Sequence, residues 1–381
     1  PVRLPGRVRR LGALGLSGLV CRDGAQLIGD GAEDVMLSDS GIEGDGDGDG
    51  AGPTTRALID LSNCRQVHVR DLSISGSPGD GLRLWRSGAR VTGNRISTCG
   101  QAAIRAGDSA GLVIQDNTID DIANNGIVVW RKTAGTDGTQ VINNRVTRIA
   151  AEAGGNGQNG NGINAFRAGH VLIANNSIAD CAFTAVRCNA ASNVQIIANN
   201  CRNLGEVAIY AEFAFEGAVI ANNLVAGAAT GIEVTNFKEG GRLACVQGNL
   251  IRDLFRREDE AVDKRGVGIA VEADTSVSGN TIEGAPTVAV MVGWGRYLRL
   301  VNVTGNVIRD SAVGIGLSKQ GDAGSVLVNA NMISAGTGQH VRLFDHGDAT
   351  GDPAGGLAND QFGPARLSAN VFLSTQQTSP G

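Results

Sequence analysis

Gly126-Ile-Val-Val-Trp130, followed by Val141-Ile-Asn-Asn-Arg-Val146, decides the fold. The first phrase is a short strand with a small starting residue and apolar residues two apart. The second is another short strand, carrying an asparagine at its turn. Both recur. The first, G-[IL]-x-[VL], returns as Gly81-Leu-Arg-Leu84, Ala103-Ile-Arg-Ala106, Gly162-Ile-Asn-Ala165, Ala185-Val-Arg-Cys188 and Ala208-Ile-Tyr-Ala211. It continues as Gly231-Ile-Glu-Val234, Gly268-Ile-Ala-Val271, Ala289-Val-Met-Val292 and Gly314-Ile-Gly-Leu317. The second, V-x-x-N-x-[IV], places Asn94, Asn117, Asn144, Asn176, Asn200, Asn223, Asn249, Asn280, Asn306, Asn331 and Asn370 in equivalent positions. Intervals such as 23 from Asn94 to Asn117 and 26 from Asn280 to Asn306 define the repeat. A period in the twenties with alternating β-branched strands is the mark of an all-β, single-stranded β-solenoid, here of about ten to twelve coils. No one repeat can bury its apolar face, but stacked repeats share a core. Asparagines at an equivalent turn should stack as an internal ladder rather than form a binding site.

Composition agrees. Glycine is abundant at 56, proline scarce at 8 and aromatics only 4%, as suits many tight turns and small stacked side chains. A net charge of −5 without a basic stripe argues against a nucleic-acid partner. No apolar run reaches the ~18–20 residues of a membrane span. Seven cysteines, an odd number without CxxC spacing, read as buried free thiols.

The repeats occupy 55–345. Residues 1–54 read as irregular N-terminal coils, and 346–381 as a loop, a closing strand at Arg366–Leu373 and a tail. Arg9-Arg10 and the apolar Leu11–Val20 have the order of an export signal, even a twin-arginine one. The segment runs without a cleavage site into the strand-like Ala25-Gln-Leu-Ile28, which favours a first coil of the fold. No cofactor is expected. Asp45, Asp47 and Asp49 offer oxygens suited to calcium, yet the loop lacks the closing glutamate of an EF-hand, and a solvated loop is the preferred reading. Insertions at Ala150–Asn161 and Phe255–Arg265 should shape a binding side.

These phrases resemble the right-handed parallel β-helix proteins of the pectin-lyase-like superfamily over 55–345. The arginine pair and the ~23-residue period also resemble a family of twin-arginine-exported repeat proteins. The resemblance implies the handedness, export to the periplasm or the extracellular space, and a polysaccharide partner. It leaves the oligomeric state open. Superfamily members that eliminate across uronic acids use a calcium cluster or a catalytic lysine or arginine on this sheet. Neither that acidic cluster nor the Asp-Pro-His-Asp signature of alginate epimerases is present. The aspartate cluster of the β-helix hydrolases is missing too.

Strand alternation turns the first phrase into columns. Positions one and three point inward. Position two runs outward through Arg83, Arg105, Val128, Asn164, Arg187, Tyr210 and Glu233; position four through Trp85, Trp130, Phe166, Asn189, Glu212 and Glu272. Arg131 and Arg167 follow at position five. Rings in a row suit sugar faces, and arginine forks suit sugar carboxylates. Two chemistries compete. In elimination, Arg187 with Arg105 or Arg167 would hold a uronate carboxylate and Tyr210 would move the proton; His170 reads as structural. In hydrolysis, Glu212 and Glu233, one coil apart and two residues offset, would form an inverting pair, with Glu272 extending the set. A non-catalytic glycan-binding or envelope scaffold is the third reading.

Overall fold

The computed structural model describes residues 13–17, 20–21, 26–32, 34–43, 57–155, 157–257, 265–319, 324–350 and 365–373. Arg9-Arg10 and Asp45, Asp47 and Asp49 lie outside them, as does 258–264 of the charged insertion. The chain divides into two compact units, Pro1–Gln195 and Ile196–Gly381, which share one plan.

Three short strands make a coil. In the first unit Gln66–Arg70, Ser73–Ser77 and Leu82–Trp85 form one coil, and Ala89–Thr92, Arg95–Cys99 and Ala102–Gly107 the next. Equivalent strands of successive coils run parallel, the short ones in register, while the long Asn125–Thr136 shifts register against Asn161–Gly169 after Trp130. Val91 lies opposite Val69, Ile96 opposite Ile74 and Ile104 opposite Leu82. The ladder already includes Ala13–Ser17, paired with Asp34–Ser38. In the second unit Val225 faces Ile251, Ile232 faces Ile269 and Ala218 faces Ala244. Among the described residues the one helical element is a 3-10 turn, Phe237–Glu239. The fold is an all-β parallel β-helix.

Period-2 sequence produces this. In Gln66–Arg70 the two valines are buried and Gln66 and Arg70 exposed. Ile104, Ile127 and Ile163 are stacked in one column at 0% exposure, each burial contributing about 1.5–3 kcal/mol. The glycine that opens the third strand has a steric cause: a β-carbon on Gly126 would lie 2.4 Å from the carbonyl oxygen of Gly162 in the next coil.

The asparagines stand at the corner between first and second strands. In the first unit Asn94 donates its backbone N–H (3.0 Å) and Nδ2 (2.9 Å) to Asn117 Oδ1, and a second Nδ2 bond to Val69 O (3.0 Å). Asn117 does the same to Asn144, and Asn144 to Asn176. In the second unit the chain of bonds runs from Asn199 through Asn223, Asn249, Asn280, Asn306 and Asn331 to Asn370. The expected Asn200 is corrected to Asn199. Asn200 is exposed, while Asn199 is 1% exposed and Ala198 before it takes the left-handed φ of 56° that the corner requires.

Six cysteines are free: Cys64, Cys99, Cys181, Cys188 and Cys201 buried, Cys245 partly so. Burial pushes the Cys99 and Cys201 thiols up to about 12, far from a reactive thiolate. Among the described residues no helix is long and apolar enough to cross a membrane.

Candidate functional site

The outward columns of the third face exist as read. In the first unit Arg83 lies opposite Arg105, Arg105 opposite Val128, Val128 opposite Asn164 and Asn164 opposite Arg187. Trp85, Gly107, Trp130, Phe166 and Asn189 form the neighbouring column. Its chemistry differs from expectation. Arg83 Nε donates to Asp60 Oδ1 at 3.0 Å, and its terminal nitrogen pairs with the other carboxylate oxygen. Arg105 Nε is 2.8 Å from the buried Asp80. Arg131 Nη1 is 3.6 Å from Asp137 and donates to Ser109 O at 3.3 Å. Burial still pushes the Asp137 carboxyl above the usual carboxylate range. Arg187 is only 9% exposed and lies against the inserted loop, where a β-carbon on Gly157 would come within 1.7 Å of its guanidinium. These arginines, expected to meet a sugar carboxylate, are engaged within the protein. Asp60, Asp80 and Gly157 were not read as part of the site.

The aromatic row also has its own internal order. Trp85 and Trp130 stack with ring centroids 5.6 Å apart, and Trp130 and Phe166 at 6.4 Å with planes 8° apart. Arg167 caps the Phe166 ring, its guanidinium 4.7 Å from the centroid, and donates to Lys132 O at 2.9 Å. Trp85 reaches Trp130 across Gly107, where a β-carbon would meet the indole at 2.1 Å. The rings face each other, which occupies the faces between them. A sugar platform needs a free ring face.

The second unit holds a cavity of about 300 Å³ on its third face, at the small end of the ligand-pocket range. Its floor is the position-two column: Tyr210 opposite Glu233, Glu233 opposite Ala270, Ala270 opposite Met291. Glu272 enters from position four. Glu212 is 2% exposed and does not line the cavity. Three turns wall it. Asn236–Glu239 follows the strand Thr230–Val234. Trp294 and Tyr297 are bridged in a tight turn after Val288–Val292. His346 sits between the antiparallel strands Met332–Asp345 and Asp348–Thr350.

Each wall is held. Phe237 N–H donates to Glu272 Oε2 at 2.6 Å, and Arg299 covers the Phe237 ring at 4.5 Å. Asp274 fixes Arg299, whose Nε donates at 2.8 Å; this hydrogen bond holds the Asp274 carboxyl below the usual range. Thr235 Oγ1 donates to Glu233 Oε1 at 3.3 Å. His346 Nδ1 bonds Asp345 Oδ1 at 2.8 Å and meets Trp294 edge to face at 5.4 Å. Among the described residues three carboxylates, Glu233, Glu239 and Glu272, line the space against one ammonium, Lys238. Of the wall, Asn236, Lys238, Glu239, Trp294, Tyr297 and His346 lie in turns outside the repeated phrases.

Residues 24–147 and 132–331 match the family described as right handed beta helix region, and the chain belongs to this family of right-handed β-helix proteins. No curated protein matches it by sequence. Among solved structures it is similar to the Dettilon tailspike protein, with 13% identity and a TM-score of 0.45, over 87% of this chain and 61% of that one. It is similar to PfbA, a surface adhesin of Streptococcus pneumoniae, with 12% identity and a TM-score of 0.47, over 93% and 92%. It is also similar to the catalytic unit of an α-1,3-glucanase from Streptomyces thermodiastaticus, with 15% identity and a TM-score of 0.40, over 97% and 62%. The chain thus spans under two thirds of the tailspike and of the glucanase unit, and the likeness is one of fold.

Proposed function

We propose that the cavity of the second unit binds a neutral glycan outside the cytoplasm and that Glu233 and Glu272 hydrolyse a glycosidic bond there. The observation carrying this is their placement on one cavity floor. Glu233 lies opposite Ala270, and Glu272 is two residues further along that strand. Two residues of strand and one inter-strand step put the Cα atoms about 8 Å apart. An inverting pair needs its carboxyl groups roughly 6.5–9.5 Å apart, with room for a water, and side chains rising from this spacing into one cavity can take that separation. Glu272 takes a backbone N–H donor, the partner suited to an acceptor-only carboxylate, and serves as the base that removes a proton from water. Glu233, beside the Thr235 hydroxyl, gives its proton to the leaving oxygen, and the Tyr210 hydroxyl orients the sugar.

Elimination on a uronic acid fits less well, because it needs a cation at the sugar carboxylate and this cavity is rich in carboxylates. A screen of neutral and acidic glycans, reading new reducing ends and unsaturated products separately, tests the reading. Expected are reducing ends from a neutral glycan. Glu272→Gln should lower that rate by about 10²–10⁴-fold with an unchanged far-UV spectrum. Unsaturated product, or no reducing ends from any neutral glycan, would refute hydrolysis; binding without turnover would leave a glycan-binding module.

A further inference from the structure

Ligand pockets combine an apolar lining with a few placed polar groups, and this face divides the two along one column. The position-two column begins with Tyr210 and Glu233 and changes to Ala270, Met291 and Gly316. Ala270 and Met291 point to the outward side, yet they are 8% and 6% exposed and pack with Val267, Val288, Val313 and Phe344. Phe344 stands opposite Ser318 in the other outward column, but its ring lies back over Gly316. A β-carbon on Gly316 would be 2.8 Å from that ring and 2.9 Å from Met291 Sδ. The glycine is the bare place that lets phenylalanine and methionine meet.

Ala270, Met291 and Phe344 line the same cavity as Glu233 and Glu272. The cavity therefore has an apolar end beside its carboxylates: Ala270, on the coil of Glu272, and Met291 lie one and two coils, about 5–10 Å, from Glu233. Water over the apolar end finds few hydrogen-bond partners, and an apolar ligand group that displaces it gains affinity. We infer that the sugar held at Glu233 and Glu272 carries a methyl-bearing substituent, from an acetyl group or a 6-deoxy carbon, seated among Ala270, Met291 and Phe344. This rests on the glycan reading above and names the substrate class within it.

Calorimetric titration of the full chain with matched sugars tests it: N-acetylglucosamine against glucose, and 6-deoxygalactose against galactose of the same hand. One pair, the one whose methyl source is the right one, should show roughly tenfold tighter binding of its methyl-bearing member. Met291→Gln should erase that preference, so that the two members of the pair bind alike. Ala270→Ser, a smaller change, carries the same expectation should the glutamine variant not fold. If plain hexoses bind and both pairs are indistinguishable, the inference is overturned while the glycan reading stands. If no sugar binds, both are overturned.

Discussion

Replacing Asn249 by alanine removes four side-chain hydrogen bonds at once. Its Nδ2 donates to Ile220 O at 3.0 Å and to Asn280 Oδ1 at 2.9 Å. Its Oδ1 accepts from Asn223 N at 2.9 Å and Asn223 Nδ2 at 3.0 Å. The residue is 1% exposed, so water does not replace the lost partners. At about 1 kcal/mol net per bond the expected loss is about 4 kcal/mol, most of it the cost of leaving Asn223 and Ile220 without their partners. Urea unfolding followed by circular dichroism measures it. Because each coil contacts mainly its neighbours, amide exchange at Asn223 should accelerate by roughly 10²–10³-fold while amides several coils away change little. Asn249→Asp separates shape from polarity. It keeps the outline but turns an acceptor toward Ile220 O and Asn280 Oδ1, so at neutral pH it should destabilise more than alanine. An alanine variant within about 0.5 kcal/mol of the parent, the range of an ordinary surface change, would refute the ladder as a source of stability.

Two other perturbations follow from contacts already described. Asp274 is held ionised by Arg299 first and Arg242 second, so its folded pKa lies below the unfolded value near ~3.9. Its contribution is fully present above that pH and is lost as pH falls toward the folded pKa. The stability gap between parent and Asp274→Asn should therefore be widest near neutrality and narrow progressively below about pH 4; a gap independent of pH contradicts the pairing. Gly107→Ala places a methyl 2.1 Å from the Trp85 ring and should displace the indole from Trp130. The expected signs are loss of the far-ultraviolet exciton couplet of the tryptophan pair and about 1–3 kcal/mol of destabilisation; an unchanged spectrum would show that the two indoles do not couple.

The columns were legible because each wrong register would have put isoleucine on the solvent side and arginine in the core. The same logic, applied more strictly, finds Asn199. In every copy but the last, at Asn370, the residue two beyond the ladder asparagine is buried, as Ile96, Ile119, Val146 and Ile178 are. From Asn199 that residue is the buried Cys201, whereas from Asn200 it is the exposed Arg202. The arginines illustrate a different limit. Their outward direction is set by local alternation, but their partners are set by the stack: Asp60 comes from the preceding coil, and Asp80 from a turn that belongs to no column. Face-to-face packing of the rings depends likewise on Gly107 being bare, which a list of aromatics does not convey. The cavity walls were the least readable. Trp294, Tyr297 and His346 sit in turns that interrupt the repeat, so no periodic signal marks them.

The three corners of a coil differ in how much length they tolerate. Between first and second strands the gap is always two residues, from Thr92 to Arg95 and from Ile142 to Arg145 in the first unit, and from Gln247 to Leu250 and from Thr304 to Val307 in the second. The asparagine fills the second of those places. At the other corners eleven residues separate Ile149 from Asn161, seven separate Val234 from Arg242, and six separate Val292 from Arg299. The molecule thus separates a fixed spine from editable edges. Whole coils can be duplicated or lost without disturbing the spine, and new segments can be grafted at the two permissive corners. This is a modular chassis, in which the amide row sets the tolerance and the loops carry the variation.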